Sequence, residues 1–247
     1  MTDAKKAVLV VGAGDATGGA IARRFAREGY FTCVSRRNGD KLEPLVQRIR
    51  DEGGQAQGFA SDARDEQAVI SLFEHIEREV APLEVVVFNI GGNVRFSVLE
   101  TTERVYRKVW EMAALAGFLV GRQAARVMLP RAQQGQRASI FFTGATASLR
   151  GGNGFCAFAG AKHALRALAQ SMARELGPQG IHVAHVVIDG GIDTPFIREN
   201  FPERYALKER DGILDPEAIA ENYWQLHRQH RSAWTQELDL RPWIERF

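Results

Sequence analysis

The chain has 247 residues, 45% of them hydrophobic and 25% charged, with 32 Lys+Arg against 30 Asp+Glu. A formal net charge of +2 is too balanced for a general nucleic-acid binder or for a protein that sits on an anionic membrane surface. Two cysteines, Cys33 and Cys156, exclude a disulfide scaffold and offer no Cys-x-x-Cys pair for metal or redox work. No run approaches the roughly 18 apolar residues of a bilayer span, and the polar Met1–Lys6 lead carries no signal-peptide core. The expectation is a cytoplasmic globular protein with no metal, no nucleic-acid partner and no membrane.

Short β-branched runs alternate with long helical patterns. Strands are expected at Ala7–Val11, Phe31–Ser35, Gln57–Ala60, Val85–Asn89, Ser139–Thr143 and His182–Ile188. Helices are expected near Gly18–Glu28, Asp40–Glu52, Asp65–Val80, Glu103–Leu129 and Phe155–Leu176, with stops at Gly29, Gly53-Gly54 and Gly177-Pro178. The strands lack polar alternation, as strands buried on both faces do. This order predicts an α/β fold: a Rossmann-type doubly wound parallel sheet of about seven strands with helices on both faces. Val109, Met112, Leu115 and Leu119 form a stripe at helical spacing, read as a core or subunit-contact face. No repeat, low-complexity tract or linker interrupts the chain, so residues 1–247 are expected as one domain. After Gly191 the pattern loosens. Residues 194–228 are expected as a lid beside the substrate, with a helix opening at Asp215-Pro216-Glu217, and 229–247 as a C-terminal extension.

Val8–Val11 runs into Gly12-Ala13-Gly14-Asp15-Ala16-Thr17-Gly18-Gly19 and then into a helix. Strand, glycine turn and helix together make a phosphate cradle. Gly12 permits the sharp turn, Gly18 lets backbone approach a pyrophosphate, and the helix start supplies unpaired amides. The second strand ends in Ser35-Arg36-Arg37, where an acid would select the free ribose hydroxyl of NAD. Two guanidiniums stand there instead and suit a 2′-phosphate, so NADP(H) is expected over NAD(H).

These segments resemble the short-chain dehydrogenase/reductase family over roughly residues 5–195. The glycine segment is similar to that family's Gly-x-x-x-Gly-x-Gly, with Ala16 in the place of the middle glycine. The resemblance implies further coenzyme contacts: Asp62 after the third strand, Asn89-Ile90-Gly91 after the fourth, and Ile192 and Thr194 after the sixth, where Asp189 replaces the usual Pro. The implied coenzyme set is Gly12, Asp15, Thr17, Gly18, Arg36, Arg37, Asp62, Asn89, Gly91, Lys162, Ile192 and Thr194. A homodimer or homotetramer is implied as well, because family members commonly pair through their fourth and fifth helices.

The catalytic residues depart from the family. Its Tyr-x-x-x-Lys pair reads Phe158-Ala159-Gly160-Ala161-Lys162 here, its Ser position is Ala145, and its supporting Asn falls near Ala113. Only Lys162 keeps its type. A positioned general acid is worth roughly 10²–10⁴ in rate, and one oxyanion donor about 3–4 kcal/mol. Ordinary carbonyl reduction should therefore be severely impaired. Thr146 and Asp189 are the candidate substitutes; a desolvated carboxyl can stay protonated near neutrality. His182 and His185 are read as packed or solvent-facing residues of their strand. Phe155, Phe158 and Phe196 would make the pocket apolar. The leading expectation is an NADP(H)-dependent oxidoreductase acting on an apolar activated substrate. A coenzyme-binding sensor or inactive partner subunit is the alternative, and nothing specific supports a third reading, a non-redox enzyme.

Overall fold

The computed structural model describes residues 6–245. Its strands are β1 (Ala7–Val11), β2 (Phe31–Arg36), β3 (Gln55–Ala60), β4 (Leu83–Phe88), β5 (Ala138–Thr143), β6 (Ile181–Ile188) and β7 (Glu237–Leu240). They form one seven-stranded sheet in the order β3-β2-β1-β4-β5-β6-β7, with every neighbouring pair parallel. Every residue of β1, β5 and β6 is buried, which explains why these segments read as unbroken apolar runs.

The helices are α1 (Thr17–Arg27), α2 (Glu43–Asp51), α3 (Glu66–His75), α4 (Glu103–Trp110), α5 (Ala116–Ala132), α6 (Cys156–Leu176), α7 (Pro195–Asn200), α8 (Pro202–Tyr205) and α9 (Pro216–Arg228). Phe25 of α1, Ile49 of α2 and Tyr223 of α9 pack with Val8 and Val10 on one face of the sheet. Phe73 of α3, Leu119 of α5 and Leu165 of α6 pack with Leu9 and Phe88 on the other. A Rossmann-type doubly wound sheet is the result. The strand order reverses between β1 and β4, and in such sheets the crevice outside the carboxyl ends at that point is where ligands bind.

Several elements differ from the sequence-based expectation. Residues 40–52 do not form one helix: Asn38 caps a 3₁₀ turn at Gly39–Leu42, and α2 begins at Glu43 because Pro44 lacks an N–H and fits only a first turn. The long helix continues past Pro130 to Ala132 and contains a π-helical stretch, Glu111–Leu115, between α4 and α5. By length and hydropathy this 30-residue run could cross a bilayer, but it packs as a core helix against β4, β5 and α6. Residues 194–228 are not all lid. Asp215 caps α9 as expected, yet Ile219, Ala220, Tyr223 and Trp224 bury α9 against α1. The segment at 229–247 is more than an extension, since it supplies β7, the sheet's edge strand beside β6. Four residues with mixed burial leave too weak a pattern to read in advance.

Candidate active site

Two cavities, of about 540 and 800 Å³, lie at the carboxyl ends of the strands and share Gly12, Gly14 and Asn89–Gly91, so they form one continuous cleft. The glycine turn sits at their junction. Gly12 adopts φ +85°, and a Cβ there would meet the carbonyl carbon of Asn89 at 2.9 Å. A Cβ on Gly18 would meet the Gly12 oxygen at 2.8 Å. Asn89 donates from its side chain to the Gly12 oxygen at 3.1 Å, which ties the turn to β4. Gly14 has open space on its Cβ side, and the hydroxyl of Thr17, buried at the start of α1, has no protein partner among the described residues. A bare turn walled by backbone, a helix start with unpaired amides and an orphaned hydroxyl suit a pyrophosphate.

The smaller cavity is lined by Arg36, Arg37, Lys41, Asp62 and Arg64. Arg64 was not foreseen. It grips the Asp62 carboxylate with two side-chain bonds of 3.0 and 2.6 Å and holds it below the usual carboxylate range. Asp62 therefore faces the cleft already paired. Among the described residues the Arg36 side chain makes one bond, a long one to the Lys41 carbonyl at 3.4 Å, leaving most of its donors toward the cleft. The residues present fit the adenosine and phosphate half of a nicotinamide dinucleotide.

Asp15, Thr17, Gly91, Ala145, Thr146, Phe155, Phe158, Lys162 and Ile192 line the larger cavity together. Lys162 is 2% exposed, and its Nζ donates to the carbonyls of Thr143 at 2.8 Å and Ile90 at 3.2 Å. No described carboxylate lies within ion-pair distance of it, and burial pushes its pKa down to about 8. An ammonium has three donors, so one remains for the cleft. Phe158, one helical turn earlier on α6, puts its ring centroid 5.9 Å from that nitrogen. Its ring packs in one small apolar cluster with Val109, Ala113 and Ala147, and Ala145 rests against it. Phe158, Ala113 and Ala145, the three positions read from the sequence as altered, thus meet in a single apolar patch.

The hydroxyls and acids nearby are otherwise engaged. Thr143 bonds Tyr223 of α9 at 2.7 Å. Asp189 is 1% exposed and does not line the cleft; the Thr146 hydroxyl donates to it at 2.5 Å and Arg150 at 3.3 and 3.4 Å. Asp189 thus spends its oxygens on three donors away from the cleft lining, out of place as the substitute expected for the missing hydroxyls, and it occupies Thr146 as well. Thr194 caps α7 through a bond from the Ile197 amide at 3.2 Å and stands outside the cleft lining. His182 and His185 are buried in β6, bonded to the Thr235 carbonyl and to Glu237 respectively. Phe196 is 60% exposed on α7 and outside the cleft lining.

The fold and cleft are those of a nucleotide-binding α/β protein at its topological switch point. Residues 6–204 match the short chain dehydrogenase family, and the chain belongs to that family. It is 30% identical over 223 residues to 1-deoxy-11-beta-hydroxypentalenate dehydrogenase of Streptomyces exfoliatus, covering 89% of this chain and 78% of that one. A short-chain dehydrogenase from Rhodopseudomonas palustris is 50% identical, with TM-score 0.80 over 96% of this chain and 99% of that one. An actinorhodin polyketide ketoreductase variant solved with NADPH superposes with TM-score 0.85 at 23% identity, covering 98% of this chain and 97% of that one, a likeness of fold.

Proposed function

We propose that this chain is an oxidoreductase that binds NADPH in preference to NADH and acts on an apolar, activated substrate. The observation that carries this reading is one continuous cleft running from Arg36 and Arg37, past an open glycine turn and the unpartnered Thr17 hydroxyl, to the buried ammonium of Lys162. Arg36 and Arg37 would hold a 2′-phosphate, the turn and the start of α1 the pyrophosphate, and the third N–H of Lys162 the ribose hydroxyls beside the nicotinamide. The coenzyme would supply a hydride. This chain's part would be to orient the acceptor against Phe155 and Phe158 and to exclude water.

Phenylalanine holds no proton to give, and among the described cleft hydroxyls Thr143 and Thr146 are already bonded to protein groups. A plain ketone, which needs its oxygen protonated, would therefore be a poor substrate. An activated C=C bond, whose carbon can take its proton from water, would suit the site. With the free Lys162 N–H assigned to the ribose, the lack of another positioned acid among the described cleft residues also favours a second reading, a coenzyme-binding protein without turnover. Calorimetric titration with NADPH and NADH, followed by NADPH oxidation over a panel of enones, imines and ketones, separates the two. Consumption that Lys162→Ala abolishes supports the enzyme. Tight binding with no consumption across the panel supports the sensor, and no binding of either coenzyme sinks both.

A further inference from the structure

We propose that the substrate half of the cleft takes an apolar acid, its carbon skeleton against Phe155 and Phe158 and its carboxylate on Arg150. This rests on the reading that the glycine-turn half holds the coenzyme.

Arg150 follows the 3₁₀ turn Thr146–Ser148 and lines the larger cavity between Ala147 and Gly151. Its side chain is 46% exposed while that of Asp189 behind it is 1% exposed, so the carboxylate is the buried anchor and the guanidinium is the face presented to the cleft. The two Arg150 contacts, at 3.3 and 3.4 Å, are long for a charge-assisted pair, and Oδ1 of Asp189 already takes the Thr146 hydroxyl at 2.5 Å. Asp189 is also shared: Arg241 stands 4.0 Å from its other oxygen, although Asp239 is the nearer partner of Arg241. Two of the five guanidinium N–H donors are thus spent, weakly, and among the described residues Asp189 is the only hydrogen-bond partner of the Arg150 side chain.

The surroundings favour an anion. Lys162 adds a buried positive charge with no described carboxylate within ion-pair distance, and the Arg95 guanidinium lies 5.9 Å from the Phe155 ring at the same end of the cleft. Among the described lining residues of the larger cavity the one carboxylate is Asp15, exposed at the glycine turn, where water screens it. An aromatic or alicyclic skeleton covers the Phe155 and Phe158 faces, and a planar carboxylate matches the guanidinium edge left open by Asp189.

The test uses trans-cinnamate and cinnamamide, two probes of one shape that differ in charge, titrated by calorimetry into the full chain with and without NADPH. Cinnamate should bind roughly ten- to a hundredfold more tightly than the amide. Arg150→Gln should bring the two within about twofold, and Arg150→Lys should restore part of the gap. NADPH affinity, measured in the same samples, should be unchanged and reports that each variant is folded. Equal affinities in the native protein, a preference that survives Arg150→Gln, or no cinnamate binding at millimolar concentration while NADPH binds would overturn the proposal. Failure of NADPH to bind while the probe preference persists would sink the coenzyme reading and leave the anion seat standing.

Discussion

The Nζ of Lys162 donates to the main-chain carbonyl of Thr143 at 2.8 Å, tying α6 to the end of β5 beneath the Phe158 ring, which has no oxygen to share. Its ammonium is held by two main-chain carbonyls, one at the end of β5 and one, of Ile90, just past β4.

That burial is costly. With a folded pKa of about 8 against an ordinary 10.5, the unfolded chain binds the extra proton between those values, so stability rises with pH across that window. At neutral pH the buried ammonium therefore costs about 3 kcal/mol. Lys162→Met strands the Thr143 and Ile90 carbonyls at about 1 kcal/mol each. The coenzyme-free variant should come out about 1 kcal/mol more stable in urea unfolding at pH 7, while NADPH stabilises it less than the parent. A less stable coenzyme-free variant would count against this account of the site.

Arg36 ends β2 and Arg37 follows it, and both line the smaller cavity. Arg36→Asp with Arg37→Ala should weaken NADPH at least about thirtyfold, the loss of one or two charge-assisted bonds plus a repulsive carboxylate. NADH should change by less than about threefold, since it carries no group for them to hold. Equal losses for both coenzymes, measured by fluorescence titration, would mean the arginines do not read the 2′-phosphate.

Phe158 and Ala145 both line the larger cavity beside Lys162. Phe158→Tyr with Ala145→Ser should therefore return an acid and an oxyanion donor to a site whose lysine is already placed. Ketone reduction should rise by roughly 10²–10⁴. An inert double variant that still binds NADPH would show that the apolar cluster around Ala113 shapes the pocket more than these two hydroxyls do.

Acid should destabilise the fold before most carboxylates titrate. His227 is buried between Ser139 at 2.9 Å, Tyr30 at 2.8 Å and Glu84 at 3.1 Å, and burial pushes its pKa below 6.5. His182 and His185 are shifted the same way and chiefly by the same cause. Each folded pKa lies below its unfolded value, so this stability is complete above about pH 6.5 and is lost as pH falls through the folded values. Unfolding free energy should drop between pH 7.5 and 5.5, and His227→Gln should flatten that slope. A flat profile in the parent would remove the argument.

Trp243 and Glu245 fasten the segment between β6 and α9. Trp243 donates to the Arg210 carbonyl at 3.0 Å and Glu245 pairs with Arg204 at 2.8 Å, holding α8 and the turn after it. Trp243→Ala with Glu245→Ala should raise amide exchange at 195–212 about five- to tenfold with little change in global stability, because the core packing of α9 is untouched. Unchanged exchange there would show that the segment holds itself.

The layered fold was legible because its signals are local: buried parallel strands read as apolar runs, and a glycine turn between strand and helix reads as a cradle. That Phe158 and Ala145 carry no hydroxyl was equally plain, since side-chain chemistry is a property of the residue. The pairing of Asp189 with Arg150 and of Asp62 with Arg64 was not, nor the burial of α9 or the strand made by Glu237–Leu240. A carboxylate's role depends on which donors the folded chain brings within about 3 Å, and a short edge strand has too few residues to show a period. The chain's own order determined the glycine turn and the apolar residues of the cleft; only tertiary contact decided which of its charged groups are already spoken for and which, like Arg150, keep donors toward the cavity.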